Sequence, residues 1–333
     1  PPPPSPPPPR GPPAPPRAAR PPAAVCPLGP LGGGRLWGGG VGAMSGLYPA
    51  TLPVYRKAGY EQAGHRWETR LTTRLIGVRE RGAVVRRERA GDEGAIAAVY
   101  ADGAAAQDGF MDRTGYVWEG KVRRWGTKAA EMFVVEEAGV VTGYVSVVRH
   151  RAGMNSPPEM LVRDWGARTP AAARAILSFL GDHWSTVETV TLGTGPMDPV
   201  LGVLGERIAQ SRVLDQWMIR LVDVGAAMTQ RGYSCGDGRV VFEVKDDLVA
   251  ANRGRWALVV RDGAGAWERC DDGDAAGADV VRCGARGIAQ VYSGYRPAAA
   301  VRLAGLIDGN DAAMAMLDRV FGAGSGAWMR EIY

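Results

Sequence analysis

The sequence has 333 residues, 46% of them apolar and 23% charged, with a net charge of +5. That is a globular composition with room for two or three domains, and it excludes collagen, a coiled coil and a wholly disordered chain. The basic excess lies in one tail: residues 1–60 hold six basic residues and no acid, while 34 basic residues face 35 acidic ones from Glu61 onward. A neutral body of this kind gives no reason to expect nucleic-acid binding.

Sixteen of the 24 prolines fall in residues 1–30, the first methionine is Met44, and 36 of the 40 basic residues are arginine. Such a head cannot build a core. Residues 1–43 read either as a polyproline II tail or as GC-rich DNA translated in a wrong frame, and the abrupt onset of pattern at Met44 favours the second. The longest apolar run, Val140 to Val148, is interrupted by Thr142, Gly143 and Ser146, so no membrane span is expected. Pro and Gly scattered through residues 21–43 deny a secretory h-region. Cys26, Cys235, Cys270 and Cys283 form no C-x-x-C pair and have no nearby His, so the expectation is free thiols in a cytoplasmic protein, with neither metal nor disulfide.

From Ser45 the pattern is a short strand at Gly46 to Tyr48, a short helix at Ala50 to Lys57, Gly59, and an extended stretch to about Leu75. A complete unit follows, with a strand at Ala83 to Arg87, a helix from Asp92 burying Ile96, Val99 and Tyr100, and a second helix near Asp112 to Trp125. Strands Met132 to Glu137 and Val140 to Arg149 form a hairpin turning at Ala138 and Gly139; a strand at Glu159 to Trp165 comes next. Thr169 as N-cap and Pro170 at N1 open a helix with Ala173, Ile176, Leu177, Leu180 and Trp184 on one face. A strand at Val187 to Leu192, a short helix near Val200 to Arg207 and a strand at Trp217 to Val224 close the unit and repeat the pattern of residues 46–75. After Gly232 come short strands at Val240 to Val244, Arg255 to Asp262, Ala266 to Cys270 and Asp279 to Cys283. Two helices follow, one opened by Pro297 with Ala300, Leu303, Ala304 and Ile307 on a face. The other is capped near Asn310, with Ala313, Met316, Leu317, Val320 and Phe321 inward.

The order β-α-α-β-β-β-α-β-α-β over residues 83–224 resembles the GNAT acetyltransferase fold. The segment Leu47 to Tyr60, with Tyr55, Gly59 and Tyr60 matching a Tyr-x-x-x-Gly-Tyr pattern, resembles the end of the first GNAT domain in the enhanced intracellular survival (Eis) family. Similarity extends through Asp198 to Leu201, Arg231 to Tyr233 and Tyr292 to Pro297, and reaches the aromatic C-terminus. The resemblance implies an α/β (α+β) fold of tandem GNAT units, the first truncated, followed by a sterol-carrier-like domain. The implied division is a head at 1–43, the end of a first GNAT domain at 44–75, a second, degenerate GNAT-like domain at 76–226, and a sterol-carrier-protein-like domain at 227–333.

The resemblance further implies an acetyl-CoA-dependent N-acetyltransferase that assembles into homo-oligomers and accepts lysine side chains, polyamine-like molecules or aminoglycosides. An amine of pKa about 10 must lose a proton before it attacks a thioester. The family uses the terminal carboxylate, here Tyr333, as the acceptor of that proton, and a tyrosine, here Tyr55, as the donor to the leaving thiolate. Tyr60 becomes a candidate for the acceptor site and Glu331 for holding an ammonium. By residue type alone Tyr55 reads as a packed aromatic, Tyr333 as a frayed end, Glu331 as a solvated carboxylate, and His65, His150 and His183 as structural.

A GNAT enzyme cradles the cofactor pyrophosphate on the N–H groups of a glycine-rich loop at a helix N-terminus. The run Gly38 to Ala43 is followed by no helix, and the junction Gly166 to Pro170 lacks paired glycines, so the chain is expected to lack that loop and to be inactive as it stands. Two other readings remain: a ligand module, with an apolar molecule held between the third block's sheet and its two helices, and a non-catalytic subunit. Asp271 to Asp274 looks like a calcium loop without its distal Glu and reads as a hairpin turn. No P-loop, nucleophile elbow or H-E-x-x-H motif occurs.

Overall fold

A computed structural model describes residues 42–331 except 114, 152, 196–197, 272–278 and 323–325. The chain runs β1 (Met44–Leu47), α1 (Leu52–Lys57), β2 (Glu61–Thr72), β3 (Val84–Arg87), α2 (Glu93–Ala105) and α3 (Gly115–Val117), which continues as one π-helical turn at Trp118–Val122. A two-stranded ribbon, β4 (Arg124–Trp125) and β5 (Lys128–Ala129), precedes β6 (Glu131–Glu137), β7 (Val140–His150), β8 (Glu159–Ala167), α4 (Pro170–Asp182), β9 (Thr189–Leu192) and β10 (Gln210–Leu221). The last third holds α5 (Val224–Gln230), β11 (Gly238–Lys245), β12 (Gly254–Arg261), β13 (Ala264–Arg269), β14 (Val280–Gly284), α6 (Ala285–Ser293), α7 (Ala298–Leu303), β15 (Ile307–Asp308) and α8 (Asp311–Phe321). The class is mixed α/β, as the pattern predicts.

Eight strands form one sheet in the order β1-β10-β2-β9-β8-β7-β6-β3, antiparallel except for the parallel pair β8 and β9. β2, from the segment read as the end of a first unit, therefore lies between two strands of the unit that follows it. Strand alternation sends Val134 towards α2 with Ile96, Val99 and Tyr144, and Val135 towards α4 with Ile176 and Leu180. Thr169 caps α4 as the sequence predicts, its hydroxyl accepting from Ala172 N at 3.0 Å. Burying Ile176 and Leu180 contributes about 2–3 kcal/mol each. Trp184 is not on that stripe: the helix ends at Asp182, and the indole is 52% exposed beneath the Arg74 guanidinium.

The second sheet has the order β13-β12-β11-β14-β15. Its core is continuous with the first: Trp217, Ile219 and Leu221 of β10 share one cluster with Phe242, Leu258, Ile288, Leu317 and Phe321. α6 lies at that junction and is missing from the sequence reading, although Arg286, Gln290 and Ser293 recur at helical spacing opposite Ile288 and Val291; the polar stripe is itself inside, Arg286 meeting Glu61 and Gln290 Nε2 donating to Gln62 O. A further local signal is Gly294, left-handed at φ 63°, which ends the helix. The face expected on α7 also differs: Val301 is buried and Leu303 is 90% exposed, because the helix stops at Leu303. The helix expected near Asp112 to Trp125 is reduced to α3 and its π turn.

Candidate functional site

Residues 326–331 leave the second sheet and cross the first one at its middle. There β2 carries a bulge, the register passing from Gln62 opposite Met218 to Gly64 opposite Trp217. The tail runs parallel to β2 at this point: His65 N donates to Ala327 O (3.3 Å), Met329 N donates to His65 O (3.1 Å), and Trp328 N donates to Asp108 O (3.2 Å). Glycines make the crossing possible. A Cβ on Gly64 would stand 2.6 Å from Ala327 O, one on Gly109 2.6 Å from Trp328 O, and one on Gly195 2.5 Å from the Trp328 indole.

Beyond Trp328 the tail enters a buried network of four charges. Arg113, 2% exposed, gives Nη1 to Asp164 at 2.5 Å and both Nε (2.7 Å) and Nη2 to Glu331 Oε1. Arg330 Nη1 reaches the other oxygen of Asp164 at 3.1 Å, and the Tyr144 hydroxyl donates to Asp164 as well. The Arg113 guanidinium lies 3.5 Å from the Tyr100 ring centre and 4.9 Å from that of Trp118, a cation–π cage. Burial pushes the Asp164 carboxyl up, yet Arg113 and Arg330 outweigh it and hold the group below its ordinary range. Burial, with the Asp164 charge second, drives the Tyr144 phenol well above its usual value. Two cations and two anions cancel, which is the condition for keeping them out of water.

Sequence reasoning missed Arg113, Asp164 and Arg330. One signal was available: Asp164 interrupts a strand whose Met160, Val162 and Trp165 are buried, and a carboxylate in such a strand has to have a partner inside.

Among the expected site residues, Tyr55 sits half-buried on α1 with its ring edge-on to Tyr60 at 6.1 Å. The Tyr60 hydroxyl shares a hydrogen bond with Ser45 Oγ at 2.7 Å. Gly59 between them is left-handed at φ 83°, and a Cβ there would meet Arg220 Nη1 at 2.2 Å; that arginine is itself held by Asp246. Glu331 is buried, with Oε1 on Arg113 and Oε2 lacking a partner. Its carbonyl accepts from the Tyr48 hydroxyl at 2.7 Å, which brings the tail beside the segment carrying Tyr55 and Tyr60. Tyr333 lies outside the described residues, as do most of Gly38 to Ala43 and of Asp271 to Asp274.

The complete unit does not fit acetyl-CoA. β8 and β9 pair only as far as Val162 and Leu192, and β8 continues to Ala167 paired with β7 alone. The gap is taken by the tail, with Arg330 Nη1 donating to Trp165 O and the Trp165 indole N–H donating to Gly193 O at 3.1 Å. At the start of α4 Pro170 has no N–H, Ala172 N is taken by the Thr169 hydroxyl, Ala173 N by Thr169 O, and Arg168 N by Thr142 O. Among the described residues this leaves only the N–H groups of Thr169 and Ala171 at the helix start, short of the run of consecutive donors that cradles a pyrophosphate.

Comparison with known proteins agrees with this architecture. Residues 109–221 match the acetyltransferase (GNAT) domain family, and residues 224–330 match the sterol carrier protein domain family. An uncharacterized N-acetyltransferase of Streptomyces avermitilis is 34% identical over 151 residues, which cover 43% of this chain and 36% of the relative. The match thus spans about a third of the curated relative's length. Among solved structures, a GCN5-related N-acetyltransferase from Anabaena variabilis is 26% identical with a TM-score of 0.79, over 87% of this chain and 73% of the other. One from Kribbella flavida is 30% identical with a TM-score of 0.72, over 87% and 70%. Eis1 from Mycobacterium abscessus, 23% identical over 87% and 74% with a TM-score of 0.67, shares the fold. The chain belongs to the GCN5-related N-acetyltransferases, with a GNAT domain followed by a sterol carrier protein domain.

Proposed function

We propose that the protein acts as an Eis-type N-acetyltransferase on primary amines of the lysine, polyamine or aminoglycoside kind, in the cytoplasm and as a homo-oligomer. The observation that carries the reading is the threaded tail: Glu331 is fixed by Arg113 and Tyr48 two residues before the terminal carboxylate of Tyr333. In this reading that carboxylate takes the proton of the amine, Tyr55 serves as proton donor, Tyr60 borders the acceptor, and Oε2 of Glu331 is the atom left for an ammonium.

GNAT acetyltransferases use acetyl-CoA. Since the complete unit does not fit it, its place is assigned to the first unit. The reading is tested by acetyl-CoA calorimetry on the 333-residue chain and on a form extended at its N-terminus. Binding by the extended form alone supports an acetyltransferase whose cofactor loop precedes Met44. Absence of binding by both rejects the reading.

The ligand-module alternative is less well supported. Val240, Leu258, Val281, Val301, Leu317 and Phe321, the side chains that would line a pocket between sheet and helices, are buried together in one core.

A further inference from the structure

A second region of the same sheet carries groups that the acetyl-transfer reading does not use. Beside the tail crossing, a cavity of about 550 Å³ is bordered by β2, β8, β9, the π turn and the tail residues Arg330 and Glu331. Two backbone irregularities meet at it. The register between β7 and β8 passes from Asp164 opposite Ser146 to Val162 opposite Val147, so Arg163 is the extra residue of a bulge. Bulges re-aim a side chain, and π turns gather at functional sites. Lys121 lies on the π turn, and its carbonyl accepts from Arg163 Nη2 at 3.0 Å.

The charges at this cavity do not balance as those of the tail network do. Arg66 is paired with Asp215, and each lining carboxylate already has an arginine: Glu68 has Arg212, Glu159 has Arg70, and Glu331 has Arg113 on Oε1, with Oε2 unpartnered. Arg163 and Lys121 have no carboxylate in ion-pair range among the described residues. Arg163 Nε and the indole N–H of Trp67 are buried without an acceptor. Burial, and then the like charge of Arg66, pull the Arg163 guanidinium below its usual pKa. The neighbouring Asp164 does not neutralise it, because its oxygens belong to Arg113, Arg330 and Tyr144. A half-buried cation with no counter-ion is costly, and an anionic ligand removes the cost.

We propose that this cavity is a binding site for an organic anion, whose phosphate or carboxylate group is held between Arg163 and Lys121. The Trp125 and His150 rings, edge-on at 4.4 Å, form an aromatic wall for the rest of the ligand. The anion site is argued from Arg163 and Lys121 and needs neither the acetyl-transfer reading nor acetyl-CoA, although Glu331 borders the same cavity.

The test is calorimetric titration of the 333-residue chain at low salt with inorganic phosphate and, separately, with malonate. Saturable one-site binding of either, on the order of millimolar, is expected. Arg163→Gln is expected to weaken it roughly tenfold or more, through loss of a charged donor. Lys121→Gln weakens it in the same direction while leaving β8 unchanged, so a folding defect at the bulge does not decide the result. Arg302→Gln, on the far side of the second sheet, binds as the parent does. No saturable binding of either anion overturns the proposal, as does parent-like affinity in both the Arg163 and Lys121 variants.

Discussion

Arg113 and Glu331, 218 positions apart, close a buried ion pair in which Nε and Nη2 of the guanidinium share one carboxylate oxygen. Their side chains are 2% and 3% exposed, and Asp164, with none of its side chain exposed, holds the same arginine from the other side. The pair fastens the last described residue of the chain to the loop that follows α2. Its strength depends on balance: each charge is tolerable in the interior because the others are there.

Removing Arg113 alone should be costly. Arg113→Met leaves two buried carboxylates facing one arginine, and about 3–5 kcal/mol of stability is expected to be lost in urea unfolding. Adding Glu331→Gln to that variant should restore part of the loss, because one stranded charge is removed. Additive losses in the double-mutant cycle would show that the two residues do not interact.

Gly195 tests the fit of the tail. Its added methyl would stand 2.5 Å from the Trp328 indole, so Gly195→Ala is expected to cost about 1–3 kcal/mol as overpacking. Carboxypeptidase should release the C-terminal residues faster from this variant. Trp328→Ala in the same background relieves the clash, and its stability should then exceed that predicted by summing the two single losses.

Acid should unfold the protein in two stages. Burial, assisted by the charge of Arg296, lowers the His65 pKa, so the folded state favours neutral imidazole. That contribution is present above about pH 6.5, the unfolded value, and is lost as the pH falls towards the folded one. Glu61, Asp164 and Asp246 are held below the usual carboxylate range despite burial, by Arg56, Arg113 and Arg220 respectively, and hydrogen bonds from Arg86 bring Asp92 to about 2. Their contribution is present above about pH 4 and is lost as the pH falls through the depressed values. Urea midpoints measured across this range should decline first with a small slope and then steeply, and His65→Gln should abolish the first decline.

Tyr55→Phe tests the catalytic assignment in the N-terminally extended form. Loss of a proton donor predicts a fall of about 10²-fold or more in kcat, with acetyl-CoA affinity kept. Deleting Tyr333 should lower kcat as well and flatten its pH profile. Unchanged turnover in both would remove these residues from the reaction.

The sequence made the local elements readable wherever one face was polar. Thr169 and Pro170 marked the start of α4, and Ala138 and Gly139 marked the β6–β7 turn, where both residues take positive φ. α6, whose polar stripe is Arg286, Gln290 and Ser293, is the exception: it is nine residues long and opens at Gly284 without a side-chain cap, so few local markers announce it. The tail network was illegible for another reason: Arg113, Asp164 and Glu331 are far apart in the chain, and nothing local to Arg113 distinguishes it from the 35 other arginines. The insertion of β2 between β9 and β10 is likewise a matter of long-range pairing, which strand propensity does not encode.

That insertion sets a timetable for folding. Gln62 Nε2 donates to Gln216 Oε1 between β2 and β10 across a separation of 154 residues, so β2 has no β10 partner until the ribosome has passed residue 221. At synthesis rates of about 5–20 residues per second, an edge of β2 waits roughly eight to thirty seconds for that strand. During that interval it is a template for pairing with other nascent chains, so soluble yield in cells should respond to translation speed and to chaperones that shield strand edges more than to any single core residue.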